Sequence, residues 1–246
     1  MSTRFLVSPQ VCSATDKDGT TILDVNAGKL FSAIGFTGRL WSAISAQREG
    51  LTLRELHANI FSDTAYGNEE HTKEDLEKVL NQLIAIGLIE SASARRKIDA
   101  VPYWSLLGQS SALATTRLLL NLDLPSTAAF FQLALFDFLI RFGGFRALHK
   151  TVKEWPIADC HLWPQRPQIL NESLNTASRW YLKHALCLQR SAALTCLLRT
   201  CGMPAEMVVA CRRIPFKGHA WVELNGEVVN DKPKAQAVYS TVLNRC

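Results

Sequence analysis

Asn225-Gly226 restricts this chain more than any other feature. An Asn-Gly pair between alternating apolar residues signals a two-residue β-hairpin, because both central residues of a type I′ turn need positive φ. The flanks fit: Gly218 to Leu224 on one side, Glu227 to Asn230 on the other, with Asp231 at the end. Glu206 to Cys211 reads as a further strand. Arg179 to Cys201 reads as a helix stopped by Gly202 and Pro204. The last third therefore predicts helix, strand, strand, hairpin, strand. On the middle strand His219, Trp221 and Glu223 share one face, and Ala220 and Val222 the other.

Composition excludes several classes. The chain has 246 residues, 48% apolar and 20% charged, enough for a real core, so a disordered chain and a disulfide-stapled miniprotein are both excluded. The longest uninterrupted apolar run, Met207 to Cys211, falls far short of the ~20 residues of a spanning helix, so no membrane span is expected. Phe5-Leu-Val7 runs straight into Ser8-Pro9-Gln10, so no signal-peptide core forms. Seven cysteines in a chain without that signal read as reduced thiols, and the expected location is cytoplasmic. Cys196 and Cys201, five apart, would point about 140° apart on a helix. With no second ligand pair, no metal is expected. No Gly-x4-Gly-Lys loop is present, and no cofactor is expected.

Charge divides the chain. Residues 1–90 carry 8 basic and 12 acidic side chains, and residues 91–246 carry 19 and 10. Residues 93–104, with Arg95-Arg96-Lys97 and Pro102, read as a linker between domains at 1–92 and 105–246. The first domain predicts a small sheet (Val11 to Thr15, Thr20 to Asp24, Lys29 to Ile34) turning at Asp18-Gly19. Helices follow from about Thr37, from Thr52 with Glu55 in a capping box, and from Thr72 to Ile86 before Gly87. That order is winged helix-turn-helix-like. Glu74, Asp75 and Glu77 on the third helix oppose DNA binding, so no nucleic acid is expected, and the strand edge at Leu30–Ile34 suits an added peptide strand. Residues 105–155 read as a packed amphipathic helix pair interrupted at Pro125 and Gly143-Gly144, and residues 156–171 as an irregular connection. The fold class is α+β.

Cys187, His219 and Asp231 make the one constellation with chemistry. Cys187 falls early in its helix, where the amino end favours a thiolate. Asp231 ends the strand paired with that of His219. A Cys nucleophile, His base and Asp orienter then become possible, in the chain order of papain-like and transglutaminase-like enzymes. By spacing alone, a lone Cys and a lone His are more often core than catalytic. His184 and Asn230 are the alternative base and orienter. Trp221 reads as core or a site wall, Glu223 as structural, Arg190 as a structural ion-pair partner, and Cys160-His161 with Trp163 as a loop without a metal role.

The wording around these residues is more specific. Cys187-Leu-Gln-Arg190, Leu194, Leu197, Gly202, Pro215-Phe-Lys-Gly-His-Ala-Trp-Val-Glu223 and Gly226-Glu-Val-Val-Asn-Asp231 resemble the lasso peptide biosynthesis B proteins. Gly19 to Asp24, Gly28-Lys-Leu-Phe31, Trp41, Thr52 to Leu56 and Leu83-Ile-Ala-Ile-Gly-Leu-Ile89 resemble a PqqD-like precursor-recognition domain fused in front. The resemblance implies a transglutaminase-like cysteine peptidase that removes the leader of a ribosomally made lasso precursor. Cys187 would be the nucleophile, His219 the base and Asp231 the third member. Leader binding would fall on Leu30, Phe31, Ser32, Ile34, Lys73, Leu76 and Leu80. The implied partners are the precursor peptide and an asparagine-synthetase-like lasso cyclase, which would hold any ATP requirement. A non-catalytic scaffold delivering the precursor, or an acyltransferase using the same triad, remain the alternatives.

Overall fold

The computed structural model describes residues 3–16, 19–47, 49–61, 72–92, 104–159, 167–181, 186–212, 217–232, 234–239 and 241–246. The turn residue Asp18, residues 93–103 of the expected linker, Cys160, His161, Trp163, His184 and Pro215-Phe216 lie outside the described residues. The chain divides into two compact units, with the division at Ala100 and Val101.

The first unit opens on a strand that the sequence reading missed. β1 (Arg4–Val7) pairs antiparallel with β5 (Leu51–Thr52) and β6 (Ile89–Ser91), setting Phe5 opposite both Leu51 and Ser91. β2 (Val11–Asp16), β3 (Gly19–Asp24) and β4 (Lys29–Ala33) form a second antiparallel sheet with β4 at one edge. Ile34 is not part of that strand. It is the extended residue before α1 (Gly35–Ser45) and is 64% exposed.

α2 (Leu53–Phe61) and α3 (Lys73–Ala85) both start in capping boxes. Thr52 N–H donates to Glu55 Oε2 at 2.8 Å, and Glu55 N–H to Thr52 Oγ1 at 3.3 Å. Thr72 and Asp75 repeat the arrangement on α3. These bonds satisfy amide donors that a helix start otherwise leaves unpaired. Leu40, Trp41, Ile44, Leu56, Leu76, Leu80 and Leu83 meet Ile22, Leu88 and Ile89 in one buried core.

The second unit packs helices against a sheet. α4 (Trp104–Asn121) and α6 (Pro167–Trp180) lie against α5 (Pro125–Glu154), which also packs on α7 (Cys187–Thr200). Two sequence expectations change here. The region 156–171 is not wholly irregular, because α6 begins at Pro167, whose fixed φ suits a first helical residue. The expected helix from Arg179 to Cys201 is two helices: α6 ends at Trp180, and Leu186 is extended (φ −71°, ψ 162°) before α7. Apolar spacing runs across the break, which hides it from a periodicity argument.

By length and composition alone, α5 is long and apolar enough to cross a membrane. The expectation from run length is corrected here, since scattered charges interrupt runs without making a helix polar overall. In this fold α5 buries Ala128, Ala129, Leu133, Phe136 and Leu148, and it kinks at Gly144, whose φ of 64° a side chain would strain.

β7 (Ala205–Arg212), β8 (Lys217–Leu224), β9 (Glu227–Val228) and β10 (Thr241–Arg245) form an antiparallel sheet in the order β10-β7-β8-β9. Asn225 (φ 53°) and Gly226 (φ 84°) make the expected hairpin turn. α8 (Ala235–Val238) and β10 were not foreseen.

Candidate active site

Cys187 is the first residue of α7 and is half-buried. Helix starts leave N–H groups without intrahelical acceptors and carry partial positive charge. Gln189 reaches back, its Oε1 accepting the Leu186 N–H at 2.9 Å, so the start of the helix is fixed at Cys187. Every residue from Ser191 to Thr200 is buried. At the far end Arg199 donates to the carbonyls of Ala205 (2.8 Å) and Val152 (2.6 Å), anchoring α7 between strand and helix.

One turn beyond Cys187 the helix is tied to the sheet. Ser191 Oγ donates to the carbonyl of Ala220, the residue after His219, at 3.0 Å. Asn230 Nδ2 donates to the same Ser191 Oγ at 3.1 Å, and its Oδ1 accepts the Val222 N–H at 2.8 Å. Asn230 is thus a brace between α7 and β8 rather than the orienter of His219.

That role falls to Asp231. His219 Nε2 is hydrogen-bonded to Asp231 Oδ2, across the hairpin as expected. Lys232 N–H donates to the other oxygen, Oδ1, at 2.6 Å. Burial pushes the Asp231 carboxyl up, but the bonds from His219 and Lys232 outweigh it and hold it below the usual carboxylate range. With the carboxylate accepting, the neutral imidazole carries its proton on Nε2, and Nδ1 is left to take a proton from another group.

His219 and Asp231 are therefore joined directly, and Cys187 stands one helical turn from the residue bonded beside His219. On the first unit, Leu30 and Phe31 are half-buried, while Ser32, Ile34 and Lys73 are exposed. Leu76 and Leu80 differ from expectation: at 0% and 3% exposure they belong to the core, so they offer no side chain to a docking peptide. Their spacing of four, which suggested a groove, is the spacing of a core stripe. Among the described residues, no group of three or more His, Cys, Asp or Glu is placed to hold a metal.

Sequence reasoning missed Tyr239, on which the His219 imidazole stacks with ring centroids 4.7 Å apart. Trp221, read as core or a site wall, is buried and lies 6.2 Å from His219. Residues 133–244, which span Cys187, His219 and Asp231, match the model of the transglutaminase-like superfamily. The second unit carries a transglutaminase-like domain. Over 56 residues, 23% of this chain and 27% of the relative, the chain is 38% identical to the microcin J25-processing protein McjB of Escherichia coli. That match spans about a quarter of the relative's length. No solved structure matches the chain. In a transglutaminase-like domain, a half-buried thiol at a helix start and a carboxylate-bound imidazole are the equipment of nucleophilic acyl chemistry.

Proposed function

We propose that the chain is a cysteine peptidase that binds the leader of a ribosomally made lasso precursor and cuts it at the leader–core junction. The bond between His219 Nε2 and Asp231 carries the reading, because it leaves Nδ1 as the proton acceptor within a transglutaminase-like domain. The stretch shared with the microcin J25-processing protein supports a peptide precursor as substrate.

In this reading His219 Nδ1 takes the proton of Cys187, and the Sγ thiolate attacks the carbonyl carbon of the last leader residue. N–H groups at the start of α7 stabilise the oxyanion. The tetrahedral intermediate collapses as the imidazolium gives its proton to the leaving nitrogen. The C–N bond breaks, the core peptide departs with a free amine, and the leader stays as a thioester on Cys187. Water then attacks, losing a proton to His219; the C–S bond breaks, and the leader leaves as a carboxylate. Asp231 stabilises the imidazolium in both halves. An amine in place of water would make the same site an acyltransferase.

The first unit, read as a PqqD-like recognition domain, would receive the leader as a strand added to β4. A cytoplasmic cyclase using ATP would then close the core amine into a macrolactam. Tethering recognition to catalysis raises the local substrate concentration at the thiol.

Mass spectrometry of the full chain with the precursor encoded nearest its gene tests this reading. One cut releasing an intact leader is expected, absent with Cys187→Ala although that variant still binds. Binding without cleavage, even after addition of the cyclase and ATP, would leave a delivery scaffold and overturn the peptidase. A leader recovered as an amide with an added amine would identify acyl transfer.

A further inference from the structure

We propose that Tyr239 is a positioning residue for His219 and that the buried carboxylate of Glu223 holds it there. The inference deepens the reading of the same site as a Cys-His-Asp enzyme. It rests on contacts from α8, Tyr239 and β10, to which that reading gives no role.

His219, Trp221 and Glu223 lie on one face of β8 at spacing two. Above them the rings of His219, Trp221 and Tyr239 form a cluster. His219 and Tyr239 stack at 4.7 Å with 30° between planes, and Trp221 and Tyr239 lie 6.3 Å apart. Glu223, 3% exposed, sits at the base of this cluster. Its Oε1 accepts from Trp221 Nε1 at 2.8 Å and from Gln236 Nε2 at 2.9 Å, and its Oε2 accepts from Arg245 Nη1 at 2.5 Å. A buried carboxylate is costly unless its lone pairs are met. These three donors meet most of them, so the carboxylate ties together the elements on which the donors sit.

Gln236 lies on α8 and Arg245 on β10, and Tyr239 stands between them. The segment carrying Tyr239 is therefore fastened on both sides of that residue to the strand that carries His219. Gln236 also donates to the Gly226 carbonyl at 3.2 Å, tying α8 to the hairpin turn between His219 and Asp231.

Asp231 fixes one ring nitrogen, but a single hydrogen bond leaves the imidazole free to swing about that contact. A flat face against Tyr239 removes that freedom and holds Nδ1 in one direction. Tyr239 touches no reacting atom in this account; it acts through His219.

Full-length wild type, Tyr239→Phe and Tyr239→Leu, with labelled histidine, are compared by two-bond nitrogen–proton spectra at neutral pH and by precursor turnover. Tyr239→Phe is expected to keep the Nε2–H tautomer, the ring-current shift on the His219 protons and most of kcat. Tyr239→Leu is expected to lose the shift, mix the tautomers and lower kcat about tenfold or more at unchanged KM. Glu223→Gln, which keeps the side-chain shape but weakens the Arg245 contact, is expected to change the same signals in the same direction by less. It carries the test if Tyr239→Leu does not fold. Wild-type tautomer and ring shifts in Tyr239→Leu, or in Glu223→Gln where that variant carries the test, overturn the inference. The spectra need no turnover, so a wild type that cuts no precursor defeats the peptidase reading while the tautomer still decides the role of Tyr239.

Discussion

Asp231 shows what one carboxylate does in this site. It accepts from His219 Nε2 and from the Lys232 amide, and its ionised form is favoured in the folded chain. A carboxyl held below its unfolded value near 3.8 adds stability above that value and loses it as pH falls through the folded value. Denaturation midpoints of wild type and Asp231→Asn are therefore expected to differ most near neutrality and to converge below about pH 3.8. Equal gaps at pH 7 and pH 3 would contradict the shift. The same variant keeps an acceptor for Nε2 but removes the charge beside the imidazolium. Cleavage is expected to fall by roughly 10²-fold or more, while leader binding holds. At this scale the sequence was legible where the hairpin decides: Asp231 ends the stretch across the turn from His219, and the two are bonded. Tyr239 and Arg245 were illegible, because nothing in their spacing says that a buried Glu223 gathers them. Leu76 and Leu80 misled because a helix's core stripe and a groove lining have the same period.

Elements carry those residues. Ser191 and Asn230 fasten α7 to β8 with three hydrogen bonds, two of them between residues at least 29 positions apart in sequence. Ser191→Ala leaves the buried Ala220 carbonyl and the half-buried Asn230 amide short of a partner, and an unmet buried group costs about 1–3 kcal/mol. A loss of that order in urea unfolding is expected, with a lower kcat, because the start of α7 is no longer registered against His219. A stable Ser191→Ala variant with full activity would count against the brace. A second tie joins α5 to β10, where His149 Nε2 lies 2.9 Å from Asn244 Oδ1. Burial lowers the His149 pKa from its usual 6.5; the Asn244 bond opposes this and Lys153 adds to it. A buried base with a lowered pKa gives stability that is full above 6.5 and drains as pH falls toward the folded value. His149→Gln is therefore expected to flatten the loss of stability between pH 7 and pH 5 in wild type, read from thermal midpoints across that range. Elements were legible where local chemistry fixes them: Asn225-Gly226 for the hairpin, Thr52 with Glu55 for a helix start, Gly144 for the kink. The end of α6 and start of α7 were not, because apolar spacing continues across them. Short strands β1, β5 and β6 owe their pairing to residues more than forty positions away, which no local pattern carries.

In the proposed reading, the whole molecule separates two tasks that a single-unit peptidase would combine. The first unit has β4 at the edge of its second sheet, and the second has the thiol, imidazole and carboxylate. If the leader adds to β4, substitutions at that edge should act on affinity and substitutions at the triad on rate. Ile34 is the sharpest probe. It follows β4 directly, is 64% exposed, and lies outside the core that holds Leu76 and Leu80, so changing it threatens folding little. A buried aliphatic side chain contributes about 1.5–3 kcal/mol, so Ile34→Glu is expected to raise the leader Kd by roughly tenfold or more. KM for the precursor should rise with it while kcat stays near wild type. Cys187→Ala should do the reverse, holding Kd while abolishing turnover. Isothermal titration with the leader peptide and steady-state cleavage on both variants read the two effects separately. Ile34→Glu with unchanged Kd would move leader recognition away from β4, and Ile34→Glu with unchanged KM but lower kcat would place that edge's influence on the chemical step instead.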